Sequence, residues 1–445
     1  MSGERFVVLG VARPRAEWFR QVGRWATSAA IPVEFLKCVS IEELRARLSG
    51  GRAYSCALLD GGLPAVDRDL LQSVREAGAV ALVIDDSRQR RDWVALGASA
   101  VLAAGLTREV LLDALATHAP MVATAAAVPV DGLRGGGPAG GQSVADGIDL
   151  ALSASSVAVV CGPGGTGAST VSAALAQGIG ERSPSRRGVV LADLALNAEQ
   201  AMLHDVRDVV PGVQELVEGH RGGGLAPAEV EALTFEVVEG RYHLLLGLRR
   251  TRYWATLRPR AFQAAFDSLR RTFAVVVCDV TADLEGEDDA GSADVEERNL
   301  MARTACAGAD AVFAVGRPGV KGVHSLVRVV ADLAGFGVPA RRIVPVINAA
   351  PRHPRARAEL SATLADLVAP ALGGAGTAAP VFLPARRVEE ALRDAVRLPS
   401  PLAALMAGAF TATVARAGPI ESRQASEPAL VVPGSLGVWG GDADR

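Results

Sequence analysis

The first third of the chain alternates short apolar runs with segments whose apolar residues recur at helical spacing. Residues 6–11 (FVVLGV) predict a buried strand, 17–30 a helix, 33–38 a strand and 41–48 a helix. Residues 55–60 (SCALLD), 80–84 and 100–102 predict three further strands, and 68–77, 93–96 and 108–118 the helices that follow them. Strands separated by helices leave both sheet faces to be covered. This order therefore predicts an α/β unit with a parallel sheet over residues 1–118.

The pattern then fails. Residues 119–150, beginning APMVATAAAV, are rich in Ala, Gly and Pro without an apolar period, which predicts a flexible linker. Strand-like runs return at 157–161 (VAVVC), 188–192, 273–278 (FAVVVC), 309–315 (ADAVFAV) and 342–348 (RIVPVIN). A Gly-rich loop follows the first of them and leads into a helical segment at 171–180. These features predict a second α/β unit with a mostly parallel sheet over 151–414. Residues 415–445 are broken by Pro and Gly and predict a disordered tail, with LVV at 430–432 and Trp439 as short contact points.

The length of 445 residues suits two such units plus connecting segments. Hydrophobic residues make up 49% and aromatic residues only 4%, so the cores must be packed mainly from Ala, Val and Leu. A formal net charge of -3 argues against a surface built as a whole to bind polyanions. The basic residues are almost all Arg. Lys37 and Lys321 are the only lysines, which limits any chemistry that needs an ammonium group. Cys38, Cys56, Cys161, Cys278 and Cys306 lie far apart without a C-x-x-C pair, and read as small buried hydrophobes in a reducing compartment. Neither a signal peptide nor a membrane-spanning helix is expected, and a cytoplasmic location is.

Candidate chemistry lies at two places. In the first unit Asp60 ends the third predicted strand and opens the sequence DGGLP. Together with the strand–helix order, this resembles a CheY-like receiver domain, in which such an Asp accepts phosphate. The resemblance also implies an acidic pair after strand one, to hold the magnesium ion that offsets phosphoryl charge, and a lysine after strand five. Here Gly10-Val11-Ala12-Arg13 follows strand one and Leu102-Ala103-Ala104-Gly105 follows strand five. Asp60 is therefore expected to serve turn or cap geometry, and the unit to act as a docking module.

In the second unit the loop Gly162-Pro163-Gly164-Gly165-Thr166-Gly167-Ala168-Ser169-Thr170 sits between a strand and a helix. Glycines let backbone N–H groups converge on an anion, and the helix N-terminus adds a favourable dipole. The loop resembles the deviant Walker A box of the MinD/ParA family, K-G-G-x-G-K-[ST]-[ST]. The resemblance implies nucleotide binding by Gly162, Gly164, Gly165, Thr166, Gly167, Ala168, Ser169 and Thr170. It places Pro163 where the family has a lysine that crosses a dimer interface, and Ala168 where the phosphate-loop lysine stands. Asp193 matches the first acid of the family's D-x-D pattern, while Ala195 replaces the second. Asp279 matches the Walker B acid, and Asn348 the Asn that contacts adenine. Ser169, Asp193 and Asp279 are the implied magnesium positions.

Residues 381–391 (VFLPARRVEEA) resemble a stretch of the CpaE/TadZ group, with Ala385 where an acid is common. The whole architecture resembles that group, and within it the actinobacterial septum site-determining branch. The resemblance implies a homodimeric scaffold that places cell-division or secretion/pilus proteins through its receiver-like unit, recruited to septum or pole. It implies ATP and Mg²⁺ bound weakly or not at all, with negligible hydrolysis. Nucleic acid is not an expected partner, and membrane contact is peripheral or through partners. Two alternatives stay open. One is an active ATPase switch in which an arginine such as Arg317 replaces the lysine; the other is a ParA-like DNA-binding protein using Arg341, Arg342 and the basic segment 352–357.

Overall fold

The apolar runs of the first unit become five parallel strands: β1 (Phe6–Val11), β2 (Val33–Lys37), β3 (Cys56–Asp60), β4 (Val80–Ile84) and β5 (Ala100–Leu102). They lie in the order β2-β1-β3-β4-β5, the order of a receiver sheet. The computed structural model describes residues 5–28, 30–86, 91–122, 155–182, 187–237, 241–394 and 396–417. Side chains on β1 alternate between two cores, with Val7, Leu9 and Val11 on one face and Phe6 and Val8 on the other. The first helix ends at Thr27 rather than 30. There the Thr27 hydroxyl donates back to Gly23 O at 2.8 Å, and Pro32 lies just ahead. The unit also runs past the expected limit at 118, because Val122 bridges to Arg5. The rest of the predicted linker, 123–150, lies outside the described residues.

The second unit is built on an eight-stranded sheet. Its strands are β6 (Ser156–Gly162), β7 (Val189–Leu194), β8 (Phe235–Val237), β9 (Tyr242–Leu245), β10 (Val275–Thr281), β11 (Ala311–Gly316), β12 (Ile343–Ala350) and β13 (Val381–Pro384). The order is β13-β12-β11-β6-β10-β7-β9-β8, and only the edge strand β8 runs antiparallel to its neighbour. On β6, Val157, Val159 and Cys161 face one helical layer and Ala158 and Val160 the other. The short pair β8–β9 was not predicted: its runs are brief and interrupted by Glu236 and His243.

The helix Ser400–Ala417 closes one face by packing on the helix Ala168–Arg182. At Gly178 a side chain would collide with Ala403 O, so the glycine permits this close crossing. The helix carries order beyond the expected boundary at 414 to Ala417. Residues 418–445, with LVV and Trp439, lie outside the described residues. All five cysteines are buried and free, as expected of small apolar side chains. No helix among the described residues is long and apolar enough to cross a membrane.

The two units touch through the helix Arg68–Glu76 of the first. Its N-cap residue, Asp67, pairs with Arg221 at 3.1 Å. Asp69 turns its carboxylate onto the start of the helix Pro259–Thr272, accepting from the N–H of Arg260 at 2.9 Å and of Ala261 at 3.3 Å. Those are two of the N–H donors that a helix N-terminus leaves unpaired within itself. Sequence reading of either unit alone could not find this cap.

Candidate functional site

In an open, mostly parallel sheet, loops at the carboxyl ends of the strands part where successive connections leave in opposite directions. That point here lies beside β6. The loop after it meets residues following β7, β10, β11 and β12, around a cleft of about 540 Å³. The cleft is lined by Gly162 to Gly165, Gly167 to Thr170, and Ala195, Asp279, Arg317, Asn348 and Arg386 among others. The predicted loop positions other than Thr166 thus line one cleft with Asp279 and Asn348.

The loop needs its glycines for stated reasons. A side chain at Gly162 would meet Val315 O at 2.5 Å, so the loop lies hard against β11. Gly165 and Gly167 adopt φ of 78° and 86°, which L side chains rarely take. Thr166 folds the turn by donating its hydroxyl to Pro163 O at 2.7 Å. Asn348 donates its amide to Thr166 O at 2.8 Å and accepts from its neighbour Ala349 N through Oδ1. Its polar atoms therefore brace the loop, beside the cleft where an adenine contact was expected.

Pro163 and Ala168 line the cleft with no cationic group, and Ala195 with no acid. Neither lysine lines it. Lys37 lies in the first unit near the ring of Phe19, and Lys321 is exposed on the helix Val320–Phe336. Positive charge comes instead from two arginines. Arg317, directly after β11, donates to Gly165 O at 3.4 Å, and Arg386 enters from the segment after β13. Arg317 was a candidate in the sequence; Arg386 was read there only as part of a resemblance to other proteins.

Asp193 and Asp279 end adjacent strands in direct register, both almost wholly buried. Burial pushes both carboxyls up from the ordinary acid range, and the Asp279 charge pushes Asp193 further. Hydrogen bonds from Gln200, Ser169 and Ser172 pull Asp279 part of the way back. Gln200, fully buried, serves both acids. Its backbone N–H donates to Asp193 Oδ2 at 2.9 Å and its Nε2 to Asp279 Oδ2 at 2.7 Å. Nε2 also faces Ser169 O and Ser172 Oγ at 3.0 Å each, while its Oε1 is buried without a partner.

Of the three residues expected at the magnesium positions, Ser169 and Asp279 line the cleft and Asp193 does not. Magnesium beside a nucleotide usually takes one or two carboxylates together with phosphate oxygens and water. One oxygen of each acid, Oδ2, accepts from Gln200, and Asp279 also borders the cleft. Among the described residues no three His, Cys, Asp or Glu side chains gather to hold a metal. Nothing local in the sequence marked Gln200, whose partners lie 7, 28, 31 and 79 residues away.

The receiver-like pocket shows a related arrangement. Asp60 is buried at the end of β3, where the Arg13 guanidinium reaches it and Asp86. The Arg13 pKa is raised, chiefly by its hydrogen bond to Asp60. Asp60 also accepts from Gly62 N at 2.9 Å, the turn role expected for it. A side chain at Gly62 would occupy the space of the Arg13 guanidinium.

No family model matches the chain, and no curated protein does. Among solved structures it is similar to a ParA family ATPase from Chlorobium tepidum TLS, at 13% identity and a TM-score of 0.42, covering 59% of this chain and 99% of that one. It is similar to the septum site-determining protein MinD complexed with Mg-ADP from Pyrococcus horikoshii OT3, at 18% identity and TM-score 0.40, covering 59% and 95%. A third is the McdA–ATP complex from Cyanothece, at 16% identity and TM-score 0.39, covering 58% and 96%. The fold described above rests on strand order and direction rather than on these likenesses.

Proposed function

We propose that this chain is a degenerate MinD/ParA-type nucleotide-binding protein that works as a scaffold for positioning septum or secretion/pilus machinery, with little or no ATP hydrolysis. The observation that carries the reading is the cleft itself. Its glycine loop and helix N-terminus suit a polyphosphate, while Pro163, Ala168 and Ala195 line it where the family resemblance implies two lysines and an acid. Loss of one group that stabilises transition-state charge typically costs about 2.7–4 kcal/mol, and three are missing. Binding through backbone N–H groups and arginines survives such losses; turnover does not.

The scaffold would be a cytoplasmic homodimer, with the receiver-like unit as the surface for partners. ATP or ADP is the proposed ligand. Calorimetry with ADP and a phosphate-release assay on the same preparation test the reading. It requires saturable ADP binding with phosphate release no faster than the buffer blank, and turnover abolished by Asp279→Ala would overturn it. The contact of Arg317 with the loop favours one second reading, an active ATPase with arginine in the lysine role. That reading requires hydrolysis that Arg317→Ala removes.

A further inference from the structure

We propose that two copies of this chain pair through charge, the basic face of the helix Glu17–Thr27 in each lying on the acidic segment 283–297 of the other. The inference rests on the homodimer in the reading above and names the surfaces that join it. Arg20, Arg24 and Lys37 line an open hollow of about 890 Å³, with Trp25 in its wall and Glu17 as the one acid among the lining residues. Arg20 and Arg24 stand about one turn apart on the same face of the helix. Lys37, at the end of β2, joins them because Gly23 leaves the helix surface bare. A side chain at Gly23 would meet Lys37 Cε and Nζ at 2.7 Å each. Arg20, Arg24 and Lys37 are all exposed. Among the described residues none of them has an ion-pair partner, whereas Arg5, Arg13, Arg47 and Arg52 of the same unit each hold a carboxylate.

The complement lies on the second unit. Residues 283–297 (DLEGEDDAGSADVEE) follow β10 and contain no basic residue. Asp283 and Glu296 pair with Arg298 and Arg303, and Asp289 accepts from Gly286 N. Asp288, Asp294 and Glu297 are exposed, and among the described residues no cation pairs with them. Within one chain the two surfaces are kept apart. The helix Glu17–Thr27 packs with Phe6 and Val8 on one face of the first sheet. The helix Arg68–Glu76, which meets the second unit, packs with Val7 and Leu9 on the other. The basic face is thus turned away from its own second unit, and these acids reach it from a second copy. In a two-fold pair each surface is used twice, once from each copy. Opposite charges brought together in this way steer the encounter and fix its register. So small a set of cations neutralises few phosphates, which disfavours nucleic acid as the occupant.

The test is sedimentation equilibrium of the full chain without nucleotide, in about 0.05 M and about 0.5 M salt. The expected result is a dimer whose dissociation constant rises at least ~tenfold with salt. Reversing the basic face (Arg24→Glu with Lys37→Glu) or the acidic segment (Asp288→Arg with Asp294→Arg) should weaken the dimer by a similar factor. An equimolar mixture of the two variants makes both contacts complementary again and should restore the dimer. One chain carrying all four changes should do the same. A dimer insensitive to salt and to both reversals overturns the inference and leaves the homodimer standing. A wild-type chain that is monomeric in both buffers overturns this inference together with the homodimer. Weakening by the basic reversal alone means that the hollow takes a different acidic partner, and overturns the pairing. A loss that the charge exchange does not repair also overturns it, as does growth beyond two copies. Circular dichroism checks that each variant folds. Should one fail, Arg24→Gln and Asp288→Asn, with the wild-type salt series, decide.

Discussion

The Arg13 guanidinium grips the Asp60 carboxylate with two nitrogens, Nε 3.1 Å from Oδ2 and Nη2 3.1 Å from Oδ1, and reaches Asp86 with its third. A side chain from the loop after β1 thereby fills the pocket in which a receiver would meet a metal ion and a phosphoryl group. Such a two-point contact fixes geometry as well as charge.

Arg13→Ala should therefore destabilise the first unit, because Asp60 stays buried and loses its counter-ion. Arg13 is itself partly exposed, so the effect is discounted for solvent to about 1–2 kcal/mol, below the loss for a fully buried pair. Urea unfolding followed at Trp93 in the core of that unit measures it. The wild-type chain should take no label from acetyl phosphate, read by intact mass; an added phosphate at Asp60 would contradict this picture.

Asp69→Ala should bare the start of the helix Pro259–Thr272. A lost cap is worth ~1 kcal/mol, or about fivefold in local opening. Hydrogen exchange of the peptide containing Arg260 and Ala261 should quicken accordingly, with Asp69→Asn intermediate. Unchanged exchange in both variants would mean that water replaces the carboxylate at no cost.

Gly162→Ala should damage the cleft, since the new methyl meets Val315 O on β11. Overpacking against backbone costs on the order of 1–3 kcal/mol. Thermal unfolding should shift downward, and ADP binding should weaken more than in Gly164→Ala, where a methyl meets nothing. Equal binding by the two variants would remove the close approach from the account.

Asp193→Asn should stabilise the second unit at neutral pH. Burial and the neighbouring Asp279 raise the Asp193 carboxyl above its unfolded value, so the folded state holds the proton more tightly. That preference costs stability as pH rises above the ordinary carboxylate range, and the cost is complete above the raised value, about 8. The cost fades as pH falls toward the ordinary carboxylate range near ~4. The variant should gain on the order of 1 kcal/mol at neutral pH and lose that advantage as pH falls toward the ordinary carboxylate range. A gain that does not vary with pH would point to packing instead of charge. His204 and His220, held neutral by burial, act in the opposite sense and are common to both proteins.

Much of the fold was legible from local pattern. The strands of the first unit and the loop–helix junction at Gly162 to Ala168 emerge close to their predicted limits, because apolar runs and glycine clusters act over a few residues. Convergence of Ser169, Asp193 and Asp279 followed from strand ends that a parallel sheet brings together. The content of the two acidic pockets was not legible. Arg13 and Gln200 owe their roles to partners 47 and 79 residues away, and neither sits in a motif. The edge pair β8–β9 escaped for a different reason: its strands are too short to show a period.

The carboxylate of Asp69 gives the contact between the units a consequence for how the chain can be divided. The helix it caps runs for 14 residues and delivers the chain into β10, which ends in Asp279 and Thr281. A fragment beginning at residue 151 would keep every strand of the larger sheet and start that helix with two bare N–H groups. The halves are joined by more than a tether. The first unit supplies the carboxylate that caps a helix of the second, and that helix leads into the strand carrying Asp279.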